Sequence, residues 1–151
     1  MRVRIEIAGD QPDEVVIRCR EWNDDVKRLQ EALEDALRGN ELSLTRGDTV
    51  YFVRPSDILF FETDDATVKA HTRDAIYSTD ETLTALEARL PRCFARVSKS
   101  CILNSAEVTA LSRGVTGTGE VEFANSSKRA YVSRMYYKAL KNLIYETRIA
   151  K

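Results

Sequence analysis

The chain has 151 residues, of which 43% are hydrophobic and 31% charged, with a net charge of −1. That length provides one domain and room for a small appendage. The balance excludes a disordered chain, and without an apolar run near the roughly 18 residues of a span it also excludes a helical membrane protein.

The near-zero net charge hides a split along the chain. Residues 88–141 hold ten Lys or Arg against three Glu, a balance of +7, which leaves −8 for the rest. A basic C-terminal part fits a face turned toward a polyanion, with ordinary solvated charge as the alternative. The N-terminal Met1-Arg2-Val3-Arg4-Ile5-Glu6 lacks the apolar run of a signal peptide. Cys19, Cys93 and Cys101 are an odd set without metal-type spacing. Both features predict a cytoplasmic protein with reduced thiols.

In chain order, residues 2–7 and 14–19 are rich in Val and Ile and are joined through Gly9-Asp10-Gln11-Pro12, which predicts two strands and a loop. A helix follows. Asn23 can cap it, Asp24 and Asp25 suit its positive end, Val26, Leu29, Leu33 and Leu37 share one face, and Arg38-Gly39 closes it. From Leu42 the period changes to two. Residues 42–45, 49–53, 58–62, 67–71 and 75–78 read as short strands separated by turn-forming clusters. A second helix carries Leu83, Leu86 and Leu90, with Ser78 and Glu81 spaced as a capping box and Pro91 past its end. Five more strands are expected at 94–97, 101–103, 108–111, 120–123 and 129–132. A last helix begins at Ser133 and turns Tyr137, Leu140 and Ile144 inward.

Catalytic constellations are scarce. A single histidine, His71, excludes a polyhistidine metal site or a two-histidine relay within one chain. Its place in a strand pattern favours a structural role. Gly114-Val115-Thr116-Gly117-Thr118-Gly119 has the wrong spacing for a phosphate loop, lacks a following lysine and leads into a strand, so it reads as a hairpin loop. Asp64-Asp65 is an ordinary acidic turn, and Asp24-Asp25 belongs to the helix start. No enzyme and no cofactor are expected.

Two cationic points stand out instead. Arg96-Val97-Ser98-Lys99-Ser100-Cys101-Ile102-Leu103-Asn104 sets a polar turn between two apolar runs and presents Ser98 and Lys99 at a sheet edge. Arg134 follows Ser133 at a helix start, where unpaired N–H groups and the helix dipole favour an anion. Such an arginine can grip a phosphate or a guanine edge; the alternative is a surface arginine paired with a carboxylate.

Three segments carry a family resemblance: Asp57-Ile58-Leu59-Phe60-Phe61-Glu62, Leu90 through Asn104, and Val132-Ser133-Arg134-Met135-Tyr136. In order and spacing they resemble the LytTR family of DNA-binding domains over about residues 42–146. The resemblance implies a mainly β (α+β), elongated, multi-sheet antiparallel fold of about ten strands with short helices. It also implies contacts with double-stranded DNA from three places: the loop after residue 62, the Ser98-Lys99 turn and the start of the last helix. Lys99 and Arg134 match family positions that enter DNA grooves, and Ser98 stands where many members have histidine. Thr67 and Lys69 are the contacts offered by the first loop, Ser133 accompanies Arg134, and Arg96 and Lys128 are assigned to phosphate positioning.

Residues 1–41 are expected to form a β-β-α unit ahead of a LytTR-like domain over 42–151. This arrangement resembles short regulators without a receiver domain, which are paired with a small membrane protein that restrains them. It implies a homodimer on direct repeats, with the N-terminal helix as a dimerisation or partner surface and no small-molecule substrate. A protein-binding adaptor using the basic region together with Tyr136 and Tyr137 is the rival reading.

Overall fold

The computed structural model describes residues 4–10, 14–38 and 41–149, and its packing separates Met1–Gly39 from Asn40–Lys151. In the first unit, α1 (Asp24–Arg38) begins as the sequence predicts. The Val26 N–H donates to Asn23 Oδ1 at 3.0 Å, and Asp24 and Asp25 occupy the first turn. The expected stop at Gly39 and the side chain of Leu37 lie outside the described residues.

The two N-terminal strands do not form in the described residues: 4–7 and 14–19 are irregular. Alternating Val and Ile make a strand only where a sheet accepts them, and an isolated two-stranded ribbon is marginal in water. Ile5 and Ile7 stay 84% and 95% exposed, without such a sheet. Instead, Val15, Ile17 and Cys19 line an apolar groove with Trp22, Val26 and Leu33, about 430 Å³ in volume. Residues 2–3 and the Gln11-Pro12 part of the predicted loop lie outside the described residues.

The second unit contains all ten expected strands. β1 (Leu42–Arg46), β2 (Thr49–Val53), β3 (Ile58–Asp64), β4 (Thr67–Thr72), β5 (Ile76–Thr79), β6 (Phe94–Ser98) and β7 (Cys101–Asn104) form one sheet, ordered β2-β1-β5-β4-β3-β7-β6. β8 (Val108–Arg113), β9 (Gly119–Phe123) and β10 (Arg129–Val132) form a second. The pairings are antiparallel in both. Together with α2 (Leu83–Arg89) and α3 (Arg134–Ile149), they make a mainly β unit with few helices.

β3 and β7 read as continuous apolar runs because both of their faces are covered. Ile58, Phe61 and Ile102 pack with Leu83 and Leu86 of α2, along with Leu42, Leu44 and Val68. Leu59, Phe60, Cys101 and Leu103 belong to the other core, with Val121 and Phe123 of β9, Val132 of β10 and Leu140 of α3. Neighbours Leu59 and Phe60 share one core because the register shifts between Ile58 and Phe60, a bulge that breaks strict alternation. Asn104 closes the end of β7: its Nδ2 donates to the Ile58 carbonyl at 3.2 Å, and its Oδ1 accepts from the Ala106 N–H at 3.1 Å.

α2 corrects one expectation. Its N-cap is Thr82, whose side chain accepts from the Ala85 N–H at 3.1 Å, in place of a Ser78–Glu81 box. Ser78 and Thr79 are still paired with Lys69 and Val68 in β4, so the helix cannot start until the chain leaves the sheet. Glu81 reaches Arg89 instead.

Candidate nucleic-acid interface

Antiparallel pairing gathers two chain reversals, the β3–β4 hairpin and the β6–β7 turn, at one end of the larger sheet. Glu62 opposes Cys101, so the end of β3 lies beside the start of β7. There the Thr63 N–H donates to the Ser100 carbonyl at 2.9 Å. The start of α3 is attached to the same place, with the Ser133 N–H donating to the Val97 carbonyl at 2.8 Å.

Between paired Ser98 and Cys101, Lys99 and Ser100 form a two-residue turn, preceded by a register shift between Arg96 and Ser98. Ser98 Oγ accepts from the Ser100 N–H at 3.2 Å, a hydroxyl standing in for a backbone turn bond. Arg96 braces the turn from beneath. Its Nε donates to the Ser98 carbonyl at 2.8 Å, Nη2 to the Lys99 carbonyl at 2.6 Å and Nη1 to Glu87 Oε2 at 3.1 Å. These three bonds commit Arg96 to holding the turn. Lys99 is exposed, and its ammonium has no partner among the described residues.

Arg134, the first residue of α3, is likewise exposed, and its guanidinium has no partner among the described residues. Its aliphatic stem lies over Gly117, which sits at φ +88°; a Cβ there would come within 2.7 Å of Arg134 Cδ. Ser98 and Ser133 line one cleft of about 330 Å³ with Ser100, Thr118, Arg129 and Tyr131. The β8–β9 loop thus joins the neighbourhood of the two cationic points.

Three other predicted contacts sit differently. Thr67 opposes Asp64 at a hairpin whose Asp65 and Ala66 have φ of 48° and 68°, so the acidic turn is held in a left-handed conformation. Lys69 donates to Ser78 Oγ at 2.9 Å across the β4–β5 pair. Lys128 points to the buried face, where its Nζ lies 3.5 Å from His71 Nδ1 and 3.3 Å from the Ala75 carbonyl. Burial lowers its pKa, partly offset by Asp74 and Glu62.

His71 is buried, stacked on Phe60 at 4.3 Å, with Nε2 2.8 Å from Glu62 Oε1. Burial lowers its pKa against the opposing pull of Glu62, and Lys128 lowers it further. A neutral ring donating from Nε2 to Glu62 and accepting at Nδ1 from Lys128 satisfies all three groups. The Cys101 thiol is pushed up to about 12, chiefly by burial, which makes it an unreactive core group. Among the described residues, no group of His, Cys, Asp or Glu is arranged to hold a metal ion.

The sequence reading missed Arg113, Gly117 and Tyr137 as parts of this surface. Arg113 lies 4.8 Å over the Tyr137 ring, and Tyr136 and Tyr137 pack on the core. That packing withdraws most of the aromatic surface on which the adaptor reading relies. The available signal was a glycine-rich loop preceded by an arginine.

Comparison with known proteins agrees with this architecture. The sequence model described as LytTr DNA-binding domain matches residues 48–145. The Bacillus subtilis sensory transduction protein LytT is 31% identical over 107 residues, covering 70% of this chain and 44% of that protein. The chain thus spans under half the length of that relative. An uncharacterized HTH-type transcriptional regulator of Staphylococcus aureus is 25% identical over 93% of this chain and 96% of its own length. No helix-turn-helix occurs among the described residues here, since five strands separate α2 from α3. The LytTr DNA-binding domain of a Bacillus cereus protein superposes with a TM-score of 0.65 at 22% identity, covering 70% of this chain and 96% of the other, and so shares the fold. A family match over residues 48–145, on a fold shared with a solved LytTr domain, shows that this chain belongs to the LytTR DNA-binding domain family.

Proposed function

We propose that the chain is a sequence-specific transcriptional regulator that inserts the Lys99 turn and the start of α3 into grooves of double-stranded DNA and acts in the cytoplasm. One observation carries this reading. The Ser133–Val97 bond joins two elements, each bearing an exposed cation without a partner among the described residues. Ser98 and Ser133 frame these cations, and Arg96 supports the turn instead of reaching DNA. Thr67 is a lesser contact because Asp64 and Asp65 beside it repel phosphates. Lys69 and Lys128 contribute through the fold, given their internal partners.

In this reading the protein works as a homodimer on direct repeats, with the groove of Val15, Ile17, Trp22 and Val26 as the dimer surface. A small restraining membrane protein is the other occupant that would suit an apolar groove. Sedimentation of the intact chain should give a dimer at micromolar concentration that Trp22→Glu dissociates. A monomer in both cases would remove the dimer from the account.

The DNA-binding reading is tested by selection from random duplexes at low salt. The wild-type chain should enrich a repeated motif with affinity that falls steeply as salt rises, because phosphate contacts release counterions. Failure to enrich any motif would favour the adaptor reading.

A further inference from the structure

We propose that Arg113 and Arg134 form a two-arginine clamp on one phosphate of the DNA backbone, with Gly117 as its floor. This inference rests on the DNA-binding reading above and extends it to the β8–β9 hairpin.

Arg113 ends β8 opposite Gly119, and the loop between them is closed by two bonds: Gly114 N–H to the Thr118 carbonyl at 2.9 Å, and Gly117 N–H to the Gly114 carbonyl at 3.0 Å. Both arginines converge on Gly117. The position that a Cβ on this glycine would take lies 2.7 Å from Arg134 Cδ and 3.7 Å from Arg113 Nη2. A side chain there would collide with the Arg134 stem, so glycine is what allows the two arms to meet.

Arg113 is already oriented. Its guanidinium carbon sits 4.8 Å over the Tyr137 ring, a cation–π contact, and the guanidinium has no hydrogen-bond or carboxylate partner among the described residues. Tyr137 is held in turn by Gly119, where a Cβ would approach its Cδ2 to 2.7 Å. The β9 carboxylates do not neutralise the pair. Glu120 and Glu122 both bind Arg129, at 2.8 and 3.0 Å.

Two cations brought to one point without a carboxylate repel each other, and an anion between them reverses the sign of that interaction. Guanidinium N–H groups donate strong charge-assisted hydrogen bonds to phosphate oxygens, and a phosphodiester presents two free oxygens, one for each arm. A phosphate gripped here would fix the register of α3 on the duplex: one edge of the Arg134 guanidinium bonds the phosphate, and its other N–H donors stay directed at the groove. Arg113 is therefore a positioning residue for DNA recognition.

The test uses the full chain on the duplex enriched in the selection, following the dependence of log affinity on log salt. Arg113→Gln should flatten that slope by up to about 1 unit, less than a whole phosphate's share where Arg134 still holds the shared phosphate, and should leave base preference unchanged. Arg113→Met, which keeps an unbranched apolar stem without the charge, should do the same. Arg113→Lys should restore the slope. A wild-type slope in both neutral variants, with the wild-type protein still selecting its motif, would overturn the clamp and leave DNA binding standing. An altered base preference would also overturn it, by making Arg113 a base reader. If the wild-type chain selects no duplex, both readings fall together.

Discussion

The Ser133 N–H donates to the Val97 carbonyl at 2.8 Å. Each residue stands next to a contact element: Val97 precedes the Ser98-Lys99 turn by one residue, and Ser133 immediately precedes Arg134. Val97 is fully buried and Ser133 half-buried, so the acceptor side of the bond is removed from water. Lys99 and Arg134 are thus two points of one rigid edge. Inserting a single base pair between the segments they contact should weaken binding about as much as losing one base contact, roughly 1 to 3 kcal/mol. Competition binding with lengthened duplexes measures this, and unchanged affinity would mean the two points move independently.

Arg96 makes three internal bonds and should behave as a brace. Arg96→Met is expected to weaken DNA binding while keeping the salt slope of the wild type, because no phosphate contact disappears. Arg96→Lys should not rescue it, since an ammonium cannot span the fork of acceptors. A slope reduced by a full unit would instead make Arg96 a phosphate ligand.

Gly117 sits at φ +88° beneath the Arg134 stem. Gly117→Ala should destabilise the fold by about 1 to 2 kcal/mol from the left-handed backbone alone. It should also lower DNA affinity by displacing Arg134. Thermal melts and anisotropy titrations report the two effects separately; wild-type affinity would show that Arg134 needs no such floor.

At the β3–β4 hairpin, Ala66 holds φ 68°, a conformation glycine adopts without strain. Ala66→Gly is expected to stabilise the protein by about 1 kcal/mol, readable as a higher unfolding midpoint in urea. A lower midpoint would show that Ala66 contributes packing that outweighs its strain.

His71 gives a pH signature. Its pKa in the fold lies below its ordinary 6.5, chiefly through burial, so the unfolded chain binds the extra proton first. The stabilisation from neutral His71 is full above about 6.5 and is lost as the pH falls through the folded value. The stability lead of wild type over His71→Gln should therefore shrink between pH 7 and 5. A lead that grows on acidification would mean that Glu62 outweighs burial and Lys128.

The ten strands were legible because alternating Val, Ile, Leu and Phe found sheets to join, and their turns were marked by Gly, Asp, Ser and Pro. Residues 4–7 and 14–19 carried the same apolar signal without a sheet beside them, and there it misled. Side-chain partnerships between residues distant in sequence were not legible. Arg96, Lys99, Lys128 and Arg134 look alike as letters. Whether each points to solvent depends on a bulge at 96–98, on His71 from another strand, or on a glycine seventeen positions away in the chain. The caps show the same contrast: Asn23 was local and readable, whereas Ser78 was already committed to its strand partner.

The central claim is that the Lys99 turn and the start of α3 read DNA from one locked edge. Its most direct test is a base-substitution profile of the selected duplex, titrated with wild type, Lys99→Ala and Arg134→Ala. Each variant should lose discrimination by about 1 to 3 kcal/mol at its own small set of base pairs, with the two sets at a fixed spacing. Profiles that remain those of the wild type in both variants would contradict the account.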